Sequence, residues 1–506
     1  MDRMSPTDAG FYYAETENTP MHVGSVAVFD GPAPSYGDVV RLLLTKIPQV
    51  PRYRQRVRSV PLQLGRPLWM DDEHFQILYH VRHSAVPRPG GAEQLRNLAG
   101  RVFGQRLDLS KPLWEVWLVE GLEHGRWALI SKVHHSMVDG VAGTDLMQLI
   151  FDVDPGAEHP EPAADWRPAR PPSSPSLVAG GLHDSVIRPV RRLAAAAGPA
   201  RIAAAPLGLW RTGTTALGAG LPALLRQVLT PVAGSLNGPI GPHRRWAWTE
   251  TTLEDVKRVR SAFGGTVNDV VLAAITHGFR ELLDSRGALT EDLVVRSMVP
   301  VSVRRPDERG ALNNQVIAVF VDLPVAEPDP RARLASLRGQ MDEHKRLLHA
   351  VDARSIIAMG NFVAPTLLAL GTRAGIRARQ PWTQTVTTNV PGPPVPLYVL
   401  GRQMRSLYPY VPIAAGIRVS IGIFSYQGAM TFGINADFDA VPDIDVLADG
   451  ICRGVAVLLN LAAAEKAAGK TAGKTAGKTA GKTAGKAAGK AAGRGGTGTV
   501  AAPGHG

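Results

Sequence analysis

Residues 131–140 read SKVHHSMVDG: two adjacent histidines, then Asp139 and Gly140, at the point where an apolar strand pattern stops. A neutral imidazole titrates near neutral pH and can take a proton from a hydroxyl, so general base is one chemistry this stretch could do. Metal ligation is a second. Adjacent side chains at a strand end point to opposite faces, so His134 and His135 could share one ion only through a distorted turn, and no metal is expected. The third reading is ring packing, and the same divergence sends one ring inward and leaves the other facing a cleft. Asp139 suits an orienting carboxylate or the N-cap of the helical pattern VAGTDLMQLI, and the two roles are compatible. No serine sits in a G-x-S-x-G elbow, so an acyl-serine intermediate has no support. The residues alone leave base and buried ring open.

The elements that must position these groups are legible around them. PLWEVWLVEGL and RWALISKVHH are strand-like runs joined across Gly121 to Gly125, a β-hairpin that puts the histidines at the end of its second strand. Ser35 with Asp38 three residues on opens a helix that Pro48 closes. A second helix over 92–104 places Leu95, Leu98 and Val102 on one face. In the other half, Thr266 and Asp269 have the spacing of a capping box ahead of the stripe Val271, Ile275, Phe279 and Leu282, which Gly287 terminates. Strand patterns follow at LVVRSMVPVSV, NQVIAVFVDLPV and TQTVTTNVP, with a hairpin at GIRVSIGIFSYQGAMTFGINADF and a last helix over about 444–465.

A chain of 506 residues, 44% of them apolar, has material for two cores. The expected organisation is a mixed α/β domain over 1–152, a Pro/Ala-rich linker with helices over 153–245, a second α/β domain over 246–463, and a tail over 464–506. The tail repeats every four residues with no apolar side chain larger than alanine in its KAAGKTAGKTAG repeats. It cannot bury a core and is expected to be disordered. It also carries most of the charge: of a formal net +12, residues 466–506 hold +8 and the body only +4. The balanced body disfavours a nucleic-acid groove. One cysteine, Cys452, excludes a disulfide framework and points to a reducing compartment. No secretory signal is read at the N-terminus and no stretch reads as a bilayer span, so a cytoplasmic or peripheral protein is expected.

HHSMVDG matches the HHxxxDG motif of the CoA-dependent acyltransferase superfamily, which includes chloramphenicol acetyltransferase and nonribosomal peptide condensation domains. More specifically, the chain resembles bacterial wax ester synthase/diacylglycerol acyltransferases. MSPTDAGFYYAETENTPMHVGSVAVFDG, PQVPRYRQRV, PLWEVWLVEGL, NDVVLAA, RSMVPVSVR and TNVPGPPVPLYVLG carry the resemblance, in family order over roughly residues 1–463. It implies two chloramphenicol-acetyltransferase-like domains with an active-site channel between them, CoA thioester entering from one side and alcohol from the other. It implies His135 as the base, with His134, Asp139 and Gly140 structural. Pro112, Leu113 and Trp114 would shape the acyl-side wall, Asn268 and Asp269 would lie near the reaction centre, and Thr388, where the motif has serine, would precede Asn389 along the channel. The first turn of a helix favours negative charge, which agrees with an oxyanion donor at Asn268, while Asp269 reads as a cap.

The expected activity is transfer of a long-chain acyl group from acyl-CoA to diacylglycerol, with fatty alcohol as a second acceptor and no metal or redox cofactor. Wax ester synthesis as the main activity is the alternative. A condensation reaction on carrier-bound substrates is disfavoured because no carrier or adenylation segment is present. The remaining alternative is a non-catalytic lipid-droplet or nucleic-acid-binding protein, against which the intact motif argues. The basic tail or the arginine-flanked apolar stretches of 153–245 would meet an anionic membrane or droplet surface, and DNA phosphates attract such a tail as well.

Overall fold

The computed structural model describes residues 2–138, 149–161, 166–183, 187, 234–302, 316–350 and 382–491. The first half begins with strand β1 (Asp2–Arg3) and helix α1 (Pro6–Ala14). Strand β2 (His22–Phe29) and helix α2 (Tyr36–Lys46) follow, α2 capped by the Ser35 hydroxyl, which accepts the Asp38 N–H at 3.1 Å. Strands β3 (Gln55–Arg58) and β4 (Leu68–Asp71) form a small sheet with β1 in the order β1-β4-β3. Next come α3 (Ile77–His80), β5 (Val81–Ala85), α4 (Ala92–Gly104), β6 (Trp114–Glu120), β7 (Trp127–His134) and the single turn α5 (His135–Val138). The hairpin expected between β6 and β7 is present, antiparallel, with Gly121, His124 and Gly125 at positive φ in the connection.

Beyond it lie α6 (Ser174–Leu182), β8 (Arg244–Thr252), α7 (Leu253–Phe263), α8 (Val267–Ser285), β9 (Val295–Ser302), β10 (Val316–Leu323) and α9 (Pro330–Ala350). Strands β11 (Thr385–Pro391), β12 (Tyr398–Val399), β13 (Arg402–Tyr410), β14 (Val419–Tyr426) and β15 (Ala429–Asp437) lead into the last helix, α10 (Ile444–Ala491). Six strands in the order β10-β9-β11-β14-β15-β8 form one mixed sheet, and six in the order β12-β13-β2-β7-β6-β5 form the other. Two six-stranded sheets with helices packed on them confirm the mixed α/β, two-domain class. The β14–β15 hairpin turns on Gln427 and Gly428, both at positive φ, as a two-residue turn matching strand twist requires.

The chain does not divide cleanly at residue 246. Strands β12 and β13, inside the span expected for the second domain, belong to the first sheet, where β13 runs antiparallel to β2 from Met404 opposite Phe29 to Tyr410 opposite Gly24. The first sheet is buried on both sides, and alternation sorts its residues. Ala27 and Phe29 of β2 join Trp127, Leu129 and Val133 of β7 in one core. Val26, Val28, Ala128 and Ile130 meet Leu95, Leu98, Val102 and Phe103 of α4 in another, which Trp246 and Tyr410 close. Helices α7 to α10 bury Val256, Val271, Ile275, Phe279, Leu337, Leu447 and Ile451 against the second sheet.

Two expectations change. The stretch 444–467 is long and apolar enough to cross a membrane, yet Leu447, Ile451, Val455 and Leu458 sit in the second core, so it is a core helix. The tail was expected to be disordered, but α10 runs on to Ala491. The packed N-terminal half supplies the nucleus; lysine and alanine favour its continuation, while the glycine at every fourth position of the repeat opposes it by roughly 1 kcal/mol each, so composition alone does not account for the extension. Arg331 pairs with Glu465 of α10 at 3.1 Å.

Candidate active site

Two neighbouring segments grip the backbone of the histidine pair. The His134 N–H donates to Leu113 O at 2.9 Å and the His135 N–H to Met21 O at 2.7 Å. Leu113 precedes β6 and Met21 precedes β2, the strands on either side of β7. Consecutive N–H groups thus anchor in opposite directions, and the rings part company.

His134 is the inward ring, with no solvent exposure. Its Nδ1 accepts the Ser136 N–H at 3.1 Å and lies 2.7 Å from the Ser136 hydroxyl. A nitrogen that accepts a backbone N–H carries no proton, so the ring proton sits on Nε2, 3.1 Å from Oε2 of Glu15. Burial alone would raise the Glu15 carboxyl, but contacts with His134, the Met21 N–H and Arg106 hold it below the usual range. Glu15 follows α1 directly, and the sequence reading missed it. Its signal was available only as an unexplained acid between α1 and PMHVG.

His135 starts α5 and is half-buried. Its ring stacks on Phe11 of α1, centroids 3.8 Å apart and planes 17° from parallel. Nδ1 is buried without a hydrogen-bond partner among the described residues. Burial pushes the His135 imidazole down to about 4, opposed by its own backbone and reinforced by the neighbouring His134.

Asp139 and Gly140 lie outside the described residues. Leu113 and Trp114 are fully buried. The Trp114 indole donates to Tyr53 O at 2.9 Å, and its ring stacks on His80 at 4.6 Å. Their packing fixes the backbone carbonyl that holds His134. Asp269 is a cap, as expected: Thr266 Oγ1 accepts its N–H at 3.3 Å and its carboxylate accepts the Thr266 N–H at 2.7 Å. Asn268 is half-buried in the same first turn of α8. Thr388 and Asn389 are half-buried on β11, in parallel register with Gly422 and Ile423 of β14. No described side-chain contact joins Asn268, Thr388 or Asn389 to His135. Among the described residues no group of three His, Cys, Asp or Glu could hold a metal ion.

A model of the wax ester synthase/diacylglycerol acyltransferase catalytic domain matches residues 4–271, and one of the family's C-terminal domain matches 312–457. The chain belongs to this family. It is an acyltransferase. A Mycobacterium tuberculosis H37Rv protein named "Probable diacyglycerol O-acyltransferase tgs1" is 35% identical over 470 residues, 92% of this chain and 97% of the relative. A second from that strain, tgs2, is 32% identical over 456 residues, 88% of this chain and 96% of its own. Among solved structures, a wax ester synthase/diacylglycerol acyltransferase from Marinobacter aquaeolei VT8 aligns with TM-score 0.64 and 26% identity, covering 92% of this chain and all of that one. The starter condensation domain of rhizomide synthetase, at 13% identity and TM-score 0.52, shares the fold.

The neutral histidines of this acyltransferase make its stability pH-dependent. Burial holds His80 and His135 down to about 4 and His22 well below its ordinary value. Unfolding returns each to about 6.5, so between the two values the unfolded chain binds more protons. Stability is therefore fully present above about pH 6.5 and is lost as pH falls towards 4, with a limiting slope of about 1.4 kcal/mol per pH unit per histidine. Urea titrations of the native chain and a His80→Gln variant should show a shallower acid slope in the variant; equal slopes would remove His80 from this account.

Proposed function

We propose that the enzyme transfers a long-chain acyl group from acyl-CoA to diacylglycerol, giving triacylglycerol and free CoA, with His135 as general base. The observation that supports it most directly is the placement of His135: one face shut by Phe11 and Nδ1 buried. Nε2 takes the acceptor hydroxyl proton as the oxygen attacks the thioester carbonyl. The C–S bond of the tetrahedral intermediate then breaks, and the imidazolium returns the proton to the departing CoA sulfur. A buried imidazolium is costly alone, but here it forms in the same step as the oxyanion, and each charge compensates the other in a low-dielectric site. Asn268, in the first turn of α8, is assigned as an oxyanion donor, a role worth about 3 kcal/mol where one donor is removed.

Fatty alcohol is the second acceptor, supported by likeness to the Marinobacter enzyme, whose name joins both activities. The test is thiol release from palmitoyl-CoA with dipalmitoylglycerol, hexadecanol or no acceptor, products separated by chromatography. Triacylglycerol should dominate; release without any acceptor, or wax ester alone, would reject the diacylglycerol reading.

The enzyme works peripherally at an anionic membrane or droplet surface in the cytoplasm, where the basic tail adds up to about 1 kcal/mol per lysine or arginine. Ala462 is the last buried apolar residue of α10 among the described ones, so deleting residues 466–506 leaves the described core intact. The truncated enzyme should turn over dispersed substrate at the native rate but co-sediment less with anionic liposomes, the difference vanishing at high salt. Equal co-sedimentation at low salt would shift the anchor to 153–245, and retention on DNA but not on liposomes would favour phosphate backbones.

A further inference from the structure

The opening MSPTDAGFYYAE contains helix α1, which lies beside the histidine pair. Its first part is a helix start: the Ser5 hydroxyl accepts the Asp8 N–H at 3.1 Å, Asp8 accepts the Ser5 N–H at 3.3 Å, and Pro6 occupies the first turn. The helix so begun faces the core with Ala9 and Tyr13, four residues apart on one side. Phe11, about 200° round from Ala9, belongs to none of the described hydrophobic clusters. Its ring lies flat on the His135 imidazole. Centroids 3.8 Å apart leave no room for water over that face, and with the backbone N–H tied to Met21, ring torsion is the freedom left for Phe11 to restrict.

We propose that Phe11 is a positioning residue of the transfer reaction, its ring fixing the plane of the His135 imidazole so that Nε2 meets the acceptor hydroxyl. This rests on His135 being the base. An imidazole free to turn about its Cβ–Cγ bond spends most of its time misaligned, and small misplacements of a reacting group lower the rate steeply without weakening binding. Phe11 therefore acts on kcat. It also keeps water from the ring face, so its removal should let the imidazolium be solvated. The described charged groups around the ring are few. His134 flanks it, Glu15 and Arg106 act through His134, and Asp8 is engaged in the helix cap; Asp139 is outside the described residues.

The experiment compares Phe11→Leu, which keeps apolar bulk but not the flat face, with Phe11→Tyr, which keeps the ring; Phe11→Met replaces the leucine variant if that one melts far below the native chain. Initial rates with palmitoyl-CoA and dipalmitoylglycerol are followed across pH with 4,4′-dithiodipyridine. The His135 ring is titrated by NMR in chain labelled with 13C-histidine, assigned through His135→Gln. Phe11→Leu should lose roughly tenfold or more in kcat with both KM values within about threefold, and its His135 titration should move upward. Phe11→Tyr should match the native chain in both. Native kcat together with a native titration in Phe11→Leu would overturn the proposal alone. A moved titration with native kcat would overturn the base assignment, and the proposal with it. A loss expressed in KM rather than kcat would make Phe11 a substrate-binding residue and also overturn the proposal.

Discussion

His135→Ala should leave acyl transfer reduced by about 10² to 10⁴, the contribution of a positioned general base, while the protein stays folded. The half-buried ring makes no side-chain hydrogen bond among the described residues, so its removal orphans no polar partner among them. His134→Ala should behave in the opposite way. Its ring touches no open space, but without it the Glu15 carboxylate keeps, among the described residues, Arg106 and the Met21 N–H alone, and Ser136 loses its acceptor. An unsatisfied buried group costs about 1–3 kcal/mol, so His134→Ala should lose stability and retain more activity than His135→Ala. Denaturant midpoints and kcat for both variants decide the matter. Full loss of activity in both with unchanged stability would mean a paired site, and an active His135→Ala would sink the base assignment.

That contrast was half legible in the sequence. Strand-end alternation already required the rings to diverge, but not which partners would receive them. Glu15 and Phe11 lie about 120 residues upstream, and α1 carries no periodic stripe that singles them out. Local signals served well where the interaction is local. Ser35, Thr266 with Asp269, and the turn at Gln427–Gly428 each act within four residues, and each was readable from spacing or from the flanking hairpin pattern. Strand β13 was not, because its partner β2 is some 380 residues away and its alternation, Met404, Leu407, Tyr408 and Tyr410, is broken by a register shift between Met404 and Ser406. The tail misled for a different reason. Inability to bury a core argues against tertiary packing, but it does not decide whether a helix nucleated by the packed residues before it continues into the repeat.

The seam that the sequence concealed supplies the other large effect, at Gly433. Strand β13 crosses over β14 and β15 before pairing with β2, and the crossing is close. Thr431 Oγ1 donates to Leu407 O at 2.6 Å and Ser420 Oγ to Val411 O at 2.7 Å, while the Asn435 amide donates to the same Val411 O at 2.9 Å. Between them, a Cβ on Gly433 would lie 1.7 Å from Pro409 O and 2.8 Å from its carbonyl carbon. Both obstacles are backbone, so no side chain can swing away, and β13 must lift. Gly433→Ala should therefore destabilise at or beyond the roughly 1–3 kcal/mol typical of overpacking. Gly339→Ala, in the middle of α9 with nothing within 4 Å of its added Cβ, should instead stabilise by about 0.5–1 kcal/mol. The consequence reaches the base, because Pro409 and Tyr410 pair with Ser25 and Gly24 of β2, and Met21, immediately before β2, holds the His135 N–H. Gly433→Ala should accordingly lose kcat at temperatures well below its melting point, where Gly339→Ala keeps the native rate. A Gly433→Ala enzyme with native kcat and a native urea midpoint would show that the crossing can relax, and would uncouple the second half of the chain from the histidine it is inferred to steady.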